Sequence, residues 1–211
     1  MLDIQNIKVS YRRQPVLKGL NLSIREGECV GLAGTNGSGK TTLLRTIAGL
    51  ITPNDGQILY DERPLELRET GYLAENVSLY PDLSVFRQLE LIGQLNRLPS
   101  KTIKKRIKVL ADQLGIREQL NIKTGKLSKG NRQKAALACC LIKHPRVVLL
   151  DEPFSGLDRD NADKLFQVIS RLKESGRIIL ISSHRPGALN SSCDRIVFLK
   201  DGLIRKADGD R

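Results

Sequence analysis

Residues 34–42 read GTNGSGKTT, between the apolar run ECVGLAG and the helix-forming run KTTLLRTIAGL. Gly34, Gly39, Lys40 and Thr41 fill every fixed position of G-x-x-x-x-G-K-[ST]. No other segment constrains the chain so strongly. Glycines let the backbone curl until successive N–H groups point into one concavity. The helix N-terminus adds its positive dipole end beneath that cup. The cup suits phosphate: Lys40 supplies a mobile cation for the β- and γ-phosphates, and the Thr41 hydroxyl is a ligand for Mg²⁺. Thr35, Asn36, Gly37, Ser38 and Thr42 complete the loop. The loop implies a nucleoside triphosphate and leaves base and reaction open among kinases, GTPases and ATPases.

The remaining pattern supplies the frame. LDIQNIKVSY, 2–11, alternates apolar and polar residues as a half-buried strand does, and GQILYDERPL, 56–65, returns to strand. RVVLLDEP, 146–153, and RIILISSH, 177–184, are apolar strands of the buried kind. SVFRQLELIGQLNRL and SKTIKKRIKVLADQLG each open at a serine and carry helical spacing. NRQKAALACCLIKH, 131–144, and NADKLFQVISRLKESG, 161–176, are further helices, the second ending at glycine. The tail DRIVFLKDGLIRKA, 194–207, predicts a hairpin around Asp201-Gly202. Buried strands alternating with helices imply an α/β fold around a mainly parallel sheet. The early and late alternating strands predict an antiparallel side sheet, and 83–125 a helical insertion.

Two acids stand where ligands bind parallel sheets. Asp151 and Glu152 follow a buried strand, at its C-terminal end. Asp151 is placed to hold Mg²⁺ through its water shell. Glu152, beside a γ-phosphate, can polarise an attacking water, which points to hydrolysis; a phosphotransferase has to keep water out. His184 ends another apolar strand and could reach the γ-phosphate from the side, while His144 precedes Pro145 in a connecting turn and receives no role. LSKGN, 127–131, heads a helix far from the glycine loop, and Ser128 suits the N-cap.

Of 211 residues, 40% are hydrophobic, and the longest uninterrupted apolar run is AALACCLI, too short to span a bilayer. The N-terminus has no signal-peptide pattern. The cysteines at 29, 139, 140 and 193 form no C-x-x-C pair, and two histidines supply little for zinc. A reduced cytosolic protein is expected. A net charge of +12 suits an anionic partner, and an aromatic content of 4% leaves single-stranded nucleic acid little to stack on.

Taken in order along the chain, these motifs resemble the ATP-binding-cassette ATPases. Gly34–Thr42 matches Walker A, VVLLDE matches Walker B, and LSKGN is similar to the signature Leu-Ser-Gly-Gly-Gln. GYLAEN, from Gly71, stands at the glutamine loop, SGLD, ending at Asp158, at the D-loop, and His184 at the switch histidine. Tyr11 takes the place of the aromatic that stacks on adenine. The resemblance implies one cassette domain over 1–211, with 76–126 as the helical subdomain and 1–75 and 127–211 as core and β part. It implies ATP and Mg²⁺ as cofactors, Glu152, His184 and Lys40 as catalytic groups, and Thr41, Asp151 and Glu75 around the metal. It also implies a dimer in which Leu127, Ser128, Lys129, Gly130 and Asn131 face the partner chain's ATP.

Four positions depart from the family pattern: Glu75 replaces glutamine, Lys129 and Asn131 replace glycine and glutamine, and Thr35 replaces a common proline. Glutamate can still ligate magnesium but adds negative charge beside the γ-phosphate. The implied function is an ATP-hydrolysing subunit that powers a transporter by ATP-driven dimerisation. Its expected partners are a second cassette, as homo- or heterodimer, and integral membrane permease subunits. Its expected place is the cytoplasmic face of the membrane, peripheral, with no nucleic-acid partner. The alternative is a soluble cassette acting on nucleic acid or translation. No second cassette, long coiled coil or zinc cysteines accompany this one, as they do in such members. SKTIKKRIK, with Lys101, Lys104, Lys105, Arg106 and Lys108, reads as a solvated helix face or as contact with an anionic membrane surface.

Overall fold

The computed structural model describes residues 1–205. Its centre is a six-stranded sheet in which β3 (Cys29–Ala33), β7 (Val147–Asp151) and β8 (Ile178–Ser183) are buried at every residue. Continuous apolar runs of this kind need cover on both faces, and they have it. One face packs on α2 (Val85–Leu95), α3 (Ser100–Gln113), α4 (Lys129–Leu141) and α5 (Arg159–Glu174). The other packs on α1 (Lys40–Ile47) and on a second sheet. β6 (Thr70–Leu73), β9 (Arg195–Lys200) and β10 (Leu203–Arg205) complete the order β10-β9-β3-β8-β7-β6, parallel except for β10.

Register is what this sheet contributes to function. Ala33 lies opposite Ser183, and Asp151 lies opposite Ser182. The three strands therefore end within one residue of one another, and the residues that follow them, Gly34, Glu152 and His184, emerge on one edge. A one-residue slip would turn every side chain to the other face.

The antiparallel sheet has the order β2-β1-β4-β5, formed by β1 (Leu2–Tyr11), β2 (Gln14–Ile24), β4 (Asp55–Tyr60) and β5 (Arg63–Pro64). Here sequence and structure part in two places. The late hairpin does not belong to the side sheet: β9 pairs in parallel with β3 and so extends the main sheet. Alternation alone cannot distinguish the edge of one sheet from the edge of the other. β2 escapes the alternation test because its buried Leu17, Leu20, Leu22 and Ile24 are spaced by three and then by two. The extra residue is absorbed by irregular pairing with β1 and by Gly19 at φ 93, a left-handed conformation that favours glycine.

The helix starts also differ in detail. Ser84 caps α2, accepting from the Arg87 N–H at 3.3 Å. α3 has no serine cap, because Ser100 is already its first helical residue and Pro99 precedes it. Asp158 caps α5, which begins at Arg159 rather than at 161. GQILYDERPL is interrupted by a turn at Asp61 and Glu62, both at positive φ. The tail hairpin forms around Asp201-Gly202; residues 206 and 207 lie outside the described residues.

The helical block is joined to the sheet by a shared core. Ile103, Ile107, Leu110 and Leu114 of the α3 stretch are buried, as their spacing predicts, in the same cluster as sheet residues Val148 and Ile179. Truncating Ile107 to alanine should cost about 2–5 kcal/mol, the range for emptying a filled core site. Urea unfolding followed by circular dichroism checks this; an unchanged midpoint would show that the helical block collapses onto the void.

Candidate active site

The phosphate loop is shaped by close contacts. A Cβ on Gly34 would come within 2.6 Å of the Leu199 carbonyl and 2.7 Å of Ser38 Oγ. Gly39, at φ 106, precedes α1 and supplies no side-chain cap. The first-turn N–H groups of α1 thus have neither an intrahelical acceptor nor a cap, which leaves a positive helix end facing the loop. Lys40 Nζ folds back to donate to the carbonyls of Gly34 at 2.7 Å and Thr35 at 3.1 Å. Ser38 Oγ is buried and has no hydrogen-bond partner among the described residues. An orphaned hydroxyl, an uncapped helix and a folded-back ammonium around one cup fit an anion.

Across the sheet edge, Ser182 Oγ donates to Asp151 Oδ1 at 2.6 Å and accepts from the Glu152 N–H at 3.0 Å. Tyr72 donates to Asp151 Oδ2 at 3.2 Å. Burial pushes the Tyr72 phenol up, and the Arg45 guanidinium beside it pulls the other way. Glu152 sits at φ 47. That conformation is rarely adopted by a residue with a side chain and commonly marks a functional position. Its Oε1 lies 3.0 Å from His184 Nδ1.

One cavity of about 420 Å³ gathers most of the expected residues. It is lined by Asn36, Gly37, Gly39, Lys40, Thr41, Thr42, Glu75, Glu152 and His184, with Val16 beside them. Gly34, Thr35 and Ser38 line an adjoining cavity, again with Val16. Asp151 lies beneath, buried. Tyr11, at the end of β1 and 46% exposed, is in neither lining, and neither is any residue of 127–131. Ser128 caps α4, accepting from the Asn131 N–H at 3.3 Å. Leu127 is buried in the core and anchors the segment, while Ser128 and Lys129 are exposed. Asp158 accepts from the Asn161 N–H at 2.8 Å, and these backbone and side-chain bonds hold its carboxyl below the usual range. Sequence reasoning missed Ser182, Tyr72 and Val16. Serine in RIILISSH was the only available cue to the first, and nothing in the sequence singles out the other two.

Residues 17–155 match the sequence profile of the ABC transporter family, well over half of the chain. The chain belongs to the ABC transporter family. A relative described as the putative hemin import ATP-binding protein HrtA of Staphylococcus saprophyticus is 34% identical, over 98% of this chain and 99% of its own length. The ABC transporter ATP-binding protein NatA of Bacillus subtilis is 36% identical over 89% of this chain and 79% of its own. Among solved structures, an ATP-binding subunit of an ABC transporter superposes with a TM-score of 0.88 at 28% identity, covering 97% of this chain and 88% of its own. The dimeric cassette MJ0796, known also in a post-hydrolysis state with ADP and phosphate, gives 0.87 at 26% identity over the whole of both chains.

As an ABC ATPase, the chain binds and hydrolyses ATP to power a transporter. No helix among the described residues is long and apolar enough to cross a membrane. Removing the Ser182 hydroxyl with alanine takes a shared partner from Asp151 and Glu152. The expected cost is about 1–3 kcal/mol of stability, for the buried groups left unpaired. ATP hydrolysis should fall by about 10–100-fold, as for an outer-shell partner of a ligating carboxylate, with ATP binding retained. A parent rate in a phosphate-release assay would mean that strand register alone positions the acids.

Proposed function

We propose that two copies of this cassette, or this one and a close relative, close head to tail over two ATP molecules. Each ATP then lies between the Walker A loop of one chain and the signature of the other. The observation that carries this reading is the separation of Leu127–Asn131 from the phosphate cavity within one chain. An exposed serine at a helix N-terminus outside both phosphate cavities has no phosphate to meet unless a second chain brings one. ATP that binds only the closed pair stabilises it by mass action, and hydrolysis releases it.

Within each site Lys40 neutralises the phosphates and Tyr11 stacks on the base. Glu152 takes the proton from the attacking water, and His184, hydrogen-bonded to it, orients the carboxylate and reaches the γ-phosphate. Thr41 and Asp151, oxygen ligands at the loop and strand end, would hold Mg²⁺, and Glu75 on the same cavity wall would add a further oxygen. When bound, Mg²⁺ neutralises charge that develops on the phosphates. Both Asp151 oxygens already accept one hydrogen bond, and their remaining lone pairs suit the waters of a hydrated dication.

Residues 1–211 act as one cassette, with 76–126 as its helical arm. The arm and the core enclose a cavity of about 470 Å³ lined by Leu50, Leu67, Val77 and Ile92. Leu50 and Leu67 are 64% and 60% exposed. Apolar surface of this kind suits a permease loop and would hold the cassette on the cytoplasmic face of the membrane. Relatives named for hemin and for spermidine and putrescine are similarly close, at 34% and 36% identity, so the cassette carries the motor and the membrane subunits the cargo.

Glu152→Gln is expected to bind ATP, barely hydrolyse it and accumulate as an ATP-dependent dimer, because the amide fills the same space but cannot accept the proton. Sizing with and without ATP reads the outcome, and turnover at the parent rate places the base elsewhere. The composite site has its own test. Lys40→Ala disables the Walker side and Ser128→Arg the signature side, so each homodimer should be inactive. Their mixture contains dimers with one intact composite site and should recover ATPase activity. No recovery, together with no ATP-dependent mixed dimer when Glu152→Gln is added to both, rejects the shared site.

A further inference from the structure

Away from the phosphate loop, α3, the end of α4 and α5 enclose a separate cleft of about 580 Å³. Its walls are leucine and valine side chains of these helices. Lys105, Arg106, Arg171 and Arg177 stand around it together with His144, and no carboxylate lines it. Cations near it on the surface have partners: Arg117 pairs with Asp112, Lys173 with Asp194 and Arg146 with Glu69. Among the described residues, none of the four cleft cations lies within 4.0 Å of a carboxylate.

The two inner guanidiniums are held in place by backbone. Arg106 donates to the Leu141 carbonyl at 2.7 Å, and Arg177 Nε donates to the Pro145 carbonyl at 3.1 Å. Arg106 Nε is buried and unpartnered. A second Arg177 nitrogen lies 2.6 Å from His144 Nε2, which makes that ring nitrogen the acceptor and the imidazole neutral. Burial lowers both arginines, and Arg177 further lowers Arg106. Burial and the same two guanidiniums lower His144. Half-buried like charges with an idle donor and no counter-ion are unfavourable unless something supplies negative charge.

We propose that this cleft is a second anion site, which takes the phosphoryl group of a small phosphorylated molecule or of an anionic phospholipid. Two planar guanidinium forks recognise phosphoryl oxygens in pairs. Four cations without an acid call for a multivalent anion, and a single carboxylate would leave most of them uncompensated. The apolar walls accommodate the part of the ligand that bears the phosphate. Within the basic run of α3, Lys101, Lys104, Lys105 and Lys108 are exposed and Arg106 is half-buried, and of these Lys105 and Arg106 line the cleft.

The chain has two histidines, so each anion site carries its own reporter: His184 at the Walker loop and His144 in the cleft. The experiment follows both imidazoles by NMR in full-length, histidine-labelled protein saturated with Mg-ADP. Inorganic pyrophosphate should shift His144 saturably and leave His184 unmoved, and sodium acetate at equal ionic strength should move neither. Arg106→Gln with Arg177→Gln should abolish the response. Because those arginines also brace the backbone, Lys105→Gln with Arg171→Gln is the second test. Both of these residues are exposed, and their loss should weaken binding about tenfold or more, the equivalent of one charge-assisted bond. Vesicles of phosphatidylglycerol against phosphatidylcholine separate the sources. A pyrophosphate response supports a soluble phosphate, and a response to phosphatidylglycerol alone supports the headgroup. Movement of His184 alone, an equal response to acetate, an undiminished response in both double variants, or none with any probe overturns the proposal.

Discussion

Ser182 Oγ, 2.6 Å from Asp151 Oδ1 and 3.0 Å from the Glu152 nitrogen, is the contact on which the candidate site depends. A hydroxyl can donate and accept at once, and here it does both, to adjacent residues of a neighbouring strand. It fixes Asp151 as the last residue of its strand and Glu152 as the first to leave it. The left-handed turn at Glu152 then swings the second carboxylate away from the first, toward His184. Two acids in sequence are thereby split between a buried position beneath the loop and a position facing the cavity. The adjacent pair Asp151-Glu152 is thus one chemical unit divided by geometry, and β7 and β8 must keep their register for the division to survive.

Much of this was legible in the sequence because the responsible rules are local. Gly34–Thr42 carries its own conformation, and buried strands reveal themselves as unbroken apolar runs, so the parallel core and the loop could be read directly. The failures are non-local. β2 hides because its alternation is broken by an extra residue at Gly19, and that break reads as a bulge only once β1 is known to pair with it. The sheet to which the late hairpin belongs is not readable from its sequence, because edge strands alternate in the same way wherever they pair. Ser182 could not be recognised as a partner of Asp151 without knowing that β7 and β8 are neighbours. Tyr11 carries its role by resemblance alone, and the side chain that lines both phosphate cavities from this part of the chain is Val16.

The two helix N-termini proposed to bind phosphate solve one problem with opposite chemistry. α1 has glycine at its cap and leaves its first N–H groups free; its loop does the wrapping and Lys40 supplies the charge. α4 has serine, which satisfies the Asn131 N–H at 3.3 Å and keeps the helix start folded without a ligand. A cap that only accepted would compete with phosphate. Aspartate caps a helix as well as serine does, yet at 128 it would put a carboxylate against the partner's γ-phosphate. Asparagine would cap with its carbonyl and present a bulkier amide. The serine hydroxyl accepts from Asn131 while its own proton stays available to donate outward. In the proposed dimer, capping and phosphate binding would therefore use different halves of the same group, and the signature segment is folded within one chain. Lys129, whose ammonium reaches over Gly156 in the turn before α5, adds an exposed positive charge at that edge. In the proposed dimer the closing pair would draw its attraction from groups already in place, which lowers the ordering cost of association.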